Sequence, residues 1–85
     1  MSKKEVVTYF QSSQEPTSKD ALWTASDIFK VGVIDNGSSR DGYAQYVCST
    51  LAEFGLSRGT WVQVIDIVKL TQKNKWVKLG EAHCR

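Results

Sequence analysis

Cysteine and histidine are the residue types in this chain best suited to hold a metal or to act as a nucleophile, and they occur only as Cys48, His83 and Cys84. A closed structural zinc site takes four such ligands at Cys-x-x-Cys-like spacing. Three ligands, two of them adjacent in sequence, fall short of that, so no metal is expected. A Cys-His nucleophilic pair would form if the C-terminus folded over the segment carrying Cys48, with Asp66 or Glu81 orienting His83. The plainer reading places Cys48 in the apolar stripe of a helix as a small core residue and His83 in solvent near the chain end. No catalytic residue and no cofactor is expected on this pattern.

The stretch Asp35-Asn36-Gly37-Ser38-Ser39-Arg40-Asp41-Gly42 falls between the end of a strand and the start of a helix, where backbone amides favour an anion. Ser38, Ser39 and the planar fork of Arg40 would then hold a phosphate or carboxylate. The stretch lacks the lysine of a Walker loop and the Gly-x-Gly-x-x-Gly of a dinucleotide fold. Its ordinary role is a capped strand-to-helix turn, and a small-ligand site or enzyme here is the third functional reading.

Aromatic and basic residues gather toward the C-terminus: Trp61 and Trp76 with Lys69, Lys73, Lys75 and Lys78. Such a set could stack bases and contact phosphates, as sheet-surface binders of single strands do. The chain as a whole carries only +2, and no RNP-like, KH or helix-turn-helix pattern is present. Lysines on an edge strand also protect it from edge-to-edge association. Asp66 sits by alternation among Val62, Val64, Val68 and Leu70, which a buried carboxylate tolerates only when paired or hydrogen-bonded. A place near the sheet edge, or a bulge that turns it outward, is the expected resolution.

These side chains must be carried by a few elements. Ala44, Val47, Cys48 and Leu51 recur at i, i+3, i+4 and i+7, the stripe of an α-helix, predicted at about 39–54. Ser38 with Asp41 suits its start, and Gly55 with Leu56 suits a Schellman end. Asp27–Ile34 reads as a strand with Phe29, Val31 and Val33 on one face, closed by the Asp35-Asn36-Gly37 turn. Thr60–Thr71 reads as the longest strand. It is joined through Gln72-Lys73-Asn74-Lys75 to Trp76–Gly80, so that Leu70 faces Val77 and Val68 faces Leu79. Upstream, Glu5–Phe10 reads as a short strand, with a first turn of helix fitting as well, Gln11–Pro16 as a polar linker, and Thr17-Ser18-Lys19-Asp20 as a capping box opening a short helix. For Leu22-Trp23-Thr24 a lead into the next strand is the alternative.

The sum is an α+β fold, a two-layer sandwich whose small mixed sheet has a β-α-β-β core with one main helix and a C-terminal β-hairpin. Residues 1–26 form an N-terminal segment and residues 27–85 the α+β core of a single domain, which is all that 85 residues accommodate. One helix covers one face of such a sheet. The other face would show Trp61, Ile65, Ile67 and Trp76, too apolar to be left to water. The expectation is therefore a small binding or regulatory module acting through protein contacts on that face, with a homodimer as one form of it. The single-stranded nucleic-acid binder using the four lysines is the first alternative, and residues 1–26 folding over the face is the structural one. No signal-peptide core and no membrane-length apolar run is seen. The chain is thus expected in the cytoplasm, with no membrane partner and with both cysteines as reduced thiols by default, a bond between them that closes a long loop being the alternative in an oxidising preparation.

Overall fold

In the computed structural model, which describes residues 3–12 and 17–84, three helices accompany a four-stranded mixed sheet. The elements run α1 (Lys3–Gln11), β1 (Asp20–Ala25), β2 (Ile28–Val33), α2 (Asp41–Glu53), β3 (Trp61–Asp66), α3 (Ile67–Lys73) and β4 (Lys78–His83). The sheet order is β1-β2-β3-β4. β1 and β2 pair antiparallel, β2 and β3 pair parallel across the α2 crossover, and β3 and β4 pair antiparallel. This is the α+β architecture with a mixed sheet that the patterning calls for.

The core lies on one face of the sheet. Ala21, Phe29, Val31, Val33, Val62 and Val64 meet Val6 and Phe10 of α1 and Ala44, Val47 and Leu51 of α2, all buried. Apolar burial of this kind is the main force holding so small a chain together. The α2 stripe runs as its spacing dictates, and its end is a Schellman motif: the Leu56 amide donates to the Leu51 carbonyl and the Gly55 amide to that of Ala52, with Gly55 at φ +73°. Its start differs from expectation, because Arg40 occupies the N-cap position with no side-chain cap. Asp41 is used elsewhere: its Oδ1 accepts from the Glu81 amide at 3.0 Å, while the Arg40 amide donates to the Leu79 carbonyl at 3.0 Å. The start of α2 thereby covers the outer edge of β4, and it can approach so closely only because residue 80 is glycine. A Cβ there would collide with the Arg40 carbonyl group.

Three segments depart from the sequence reading. Residues 5–10, read as a strand, are helical, because Val6 and Phe10 at i and i+4 form a short apolar stripe that packs on the sheet, with the Phe10 and Phe29 rings 5.5 Å apart. Residues 20–25, read as a helix behind a capping box, form β1. Pairing along β2 aligns Ala21 with Val31 and Trp23 with Phe29, and tertiary pairing outweighs a local capping pattern. Residues 13–16 of the expected polar linker lie outside the described residues.

The third departure bears on function. The long strand expected to run to Thr71 stops at Asp66, whose Oδ1 accepts from the amides of Val68 and Lys69 at 3.0 and 3.1 Å and caps α3. A carboxylate in that position satisfies amides that a helix start leaves orphaned, so the β-branched run 64–68 divides at Asp66. β4 then pairs not with residues 68–70 but further back, Gly80 opposite Val64 and Ala82 opposite Val62. The C-terminal strands are antiparallel neighbours joined by a helix and a turn at Asn74, φ 54°, rather than by a four-residue hairpin loop. Asp66 itself is buried, neither at an edge nor turned outward.

The cysteines are also not thiols. Cys48 on α2 and Cys84 just after β4 are joined in a disulfide with their Cα atoms 5.4 Å apart, within the range such a bond spans. Cys84 is brought there by its amide donating to the Thr60 carbonyl at 2.7 Å.

Candidate functional site

The face of the sheet opposite α1 and α2 is built from cross-strand rows. Ile28, Trp61 and His83 form one; Leu22, Lys30, Gln63 and Glu81 form the next; Asp20, Gly32, Ile65 and Lys78 form the third. The middle of the third row, Gly32 and Ile65, is covered. α3 folds back against β2, and its Ile67 lies so close that a Cβ on Gly32 would fall 2.8 Å from the Ile67 Cδ1. Ile65 beneath is 2% exposed. Of the four residues expected to form the contact face, Ile65 is therefore core and Ile67 is half-buried on α3. The reason is the same as for the strand break: once Asp66 caps a helix, residue 67 leaves the plane of the sheet.

Trp61 and Trp76 remain on the open part, 40% and 53% exposed. The Trp61 indole stacks on the His83 ring at 4.2 Å between centroids and 16° between planes. Trp76, in the turn before β4, reaches over β2 so that the Lys30 Nζ stands 4.6 Å from its ring centroid, a cation–π arrangement. Between the two indoles, Gln63 Nε2 donates to Glu81 Oε2 at 3.1 Å and Lys78 Nζ lies 3.2 Å from Glu81 Oε1. The result is a platform with an aromatic pair at one end, a cation held over an indole at the other, and an amide and one neutralised carboxylate between them.

Two of these partners, Lys30 and His83, stand apart from the contact set read from the sequence. Their signal is the register: parallel pairing of β2 with β3 aligns Lys30 with Gln63, and antiparallel pairing of β3 with β4 aligns Trp61 with His83. Of the hairpin lysines, Lys69 and Lys73 ride on α3, Lys75 follows its C-cap and Lys78 opens β4.

The residues of loop 35–42 are engaged with one another. The Gly37 amide donates to Asp35 Oδ1 at 2.9 Å, and both the amide and the hydroxyl of Ser38 donate to Asn36 Oδ1. The Asp41 amide points at Ser39 Oγ at 3.4 Å, and Arg40 Nη2 donates to the Ile34 carbonyl at 3.0 Å. These bonds tie Ser38, Ser39 and one amino group of Arg40 to the turn, while Arg40 Nε is buried with no hydrogen-bond partner. Beside the turn, at the C-terminal ends of β2 and β3, a groove of about 350 Å³ opens between Asp35 and the α3 residues Lys69 and Lys73.

A Cys48–His83 nucleophilic pair is overturned. The Cys48 sulfur is bonded to Cys84, and the His83 ring stacks on Trp61 on the opposite face of the sheet from α2. No three His, Cys, Asp or Glu side chains converge among the described residues. No helix there is long and apolar enough to cross a membrane. Compared with protein-family models, with curated proteins and with solved structures, the chain matches none, so the platform's own geometry is what speaks for its role.

Proposed function

We propose that this chain is a small binding module that docks a protein partner on the open rows of its sheet, with Trp61 and Trp76 as the anchoring side chains. The observation that carries this reading is the pair of indoles, 40% and 53% exposed, on the rows of the sheet that α3 leaves open. Indoles are enriched in the energetically dominant centres of interfaces. Gln63, Glu81 and Lys78 provide the polar surround that such centres have.

A second reading, single-stranded nucleic acid on the same face, draws on Lys69, Lys73, Lys75 and Lys78 following Trp61 in the chain. The Cys48–Cys84 bond supports an oxidising compartment for the module in place of the cytoplasm expected from the sequence.

The test compares the oxidised chain with Trp61→Asp by native mass spectrometry, alone and after incubation with extract of its source cells. The expected result is a protein complex formed by the wild type and missing in the variant, with the urea midpoint of the variant unchanged. A complex that survives Trp61→Asp overturns the reading.

A further inference from the structure

We propose that the groove between the end of β2 and α3 binds a free aliphatic α-amino acid, with its ammonium on Asp66 and Asp35, its carboxylate on Lys69 and Lys73, and its side chain on Ile34 and Val68. The site is separate from the Trp61–Trp76 platform and does not depend on it. The groove opens at the C-terminal ends of the parallel strands β2 and β3 and holds about 350 Å³. That is the small end of the roughly 300–1,000 Å³ range of ligand pockets, in the place where open α/β sheets take their ligands. Both of its walls are fixed. On one side Arg40 Nη2 donates to the Ile34 carbonyl at 3.0 Å and the Gly37 amide to Asp35 Oδ1 at 2.9 Å; on the other, Ile67 packs α3 against Gly32.

The observation that points to a ligand is the second oxygen of Asp66. This residue is 3% exposed, and its Oδ1 accepts both amide bonds of the α3 cap, which leaves Oδ2 without a hydrogen-bond partner. Among the described residues the one buried side-chain polar atom that lacks a partner is Arg40 Nε. Asp66 Oδ2 is therefore open to solvent, and the opening that Asp66 lines is the groove. A carboxylate oxygen set so deep gains most from a charged donor, which an ammonium supplies. Asp35, across the groove, has one oxygen on the Gly37 amide and the other free. The opposite charge comes from Lys69 and Lys73, one turn apart on the groove side of α3, and neither forms an ion pair among the described residues. At a rise of about 1.5 Å per residue, Lys69 stands about 4.5 Å along α3 from Asp66, a step short enough for an ammonium and a carboxylate carried on one carbon. A bare metal ion or a polyamine would face the two lysines, and a phosphate would face the two carboxylates. A zwitterion answers both pairs, and the exposed Ile34 and Val68 give its side chain an apolar contact.

The experiment is an amide NMR titration of the oxidised chain with leucine, leucinamide, N-acetylleucine, inorganic phosphate and magnesium, read at the Val68 and Lys69 amides that bond to Asp66. Leucine is expected to shift both signals saturably. It should bind at least about tenfold more tightly than leucinamide, which lacks the carboxylate, or N-acetylleucine, which lacks the ammonium. Asp35→Asn, and Asp66→Asn with its cap retained, should each weaken leucine about tenfold, and Lys69→Gln should do the same while leaving leucinamide unchanged. Leucinamide binding as tightly as leucine overturns the proposal in favour of a cation site, such as one for a peptide amino terminus. Equal binding of N-acetylleucine or phosphate overturns it in favour of an anion site, and tighter binding of magnesium in favour of a metal site. Leucine binding undiminished in both Asp35→Asn and Asp66→Asn overturns the assigned contacts, and no saturable shift up to the solubility of leucine overturns the site altogether.

Discussion

Removing the Cys48–Cys84 bond should cost this chain a large part of its stability. The bond joins residues 36 apart in sequence. Closing a loop of that length in the unfolded chain removes about 13 cal/mol/K of entropy, or about 4 kcal/mol at 25 °C, in the chain-entropy account. A domain of this size has roughly 4–13 kcal/mol in total, so the loss is a third or more of it. The tie is also mechanically central. It holds the end of β4, and with it His83 under Trp61, to α2 on the other face of the sheet. The assay is urea unfolding followed by tryptophan fluorescence on the oxidised chain, the thiol-reduced chain, and Cys48→Ala with Cys84→Ala. At a slope of about 1 kcal/mol per molar urea, the midpoint should fall by roughly 3–4 M, equally in the reduced chain and the double variant. A difference below about 1 kcal/mol would refute the reasoning, since the unfolded chain would then gain little freedom from the cut.

Three further outcomes follow from the packing. Asp66→Ala should destabilise by about 1–2 kcal/mol through the loss of the α3 cap, whereas Asp66→Asn should retain most of it; thermal melts decide, and equal losses would contradict the capping role. Gly80→Ala should cost about 1–3 kcal/mol because its Cβ collides with the backbone at the start of α2, while Gly32→Ala should cost less, since it meets the flexible end of Ile67; a reversed order in urea midpoints would count against these close approaches. Phe10→Ala should cost about 3–5 kcal/mol, as its buried ring is the main link of α1 to Phe29, and a near-neutral effect would mean that α1 does not dock there.

The elements that were legible in advance are those whose signal is local and redundant. α2 has a four-residue apolar stripe and a Gly-Leu stop that agree with each other, and β2 has alternation ended by an Asp-Asn-Gly turn. Where two local signals conflict, the sequence is ambiguous. Residues 5–10 are β-branched and aromatic yet place Val6 and Phe10 one helical turn apart. Around Asp66, valines and isoleucines favour a strand while the carboxylate followed by two free amides favours a cap, and the cap prevails. The site inherits that ambiguity. Trp61 on β3 is on the open face as the alternation implied, whereas Trp76 reaches it from the turn before β4, and Ile65 and Ile67 are taken from it by α3.

What the sequence by itself determined is the α+β class, the helix α2 between two strands, and the two indoles left outside the core, because periodicity, turn chemistry and composition act over a few residues. Only the tertiary structure decided that Cys48 meets Cys84, that His83 stacks on Trp61 and that Lys30 stands over Trp76. Each of these pairs joins residues far apart along the chain. Such contacts depend on strand order and register, which are set by the collective burial of both helices on one face of the sheet and not by any local pattern.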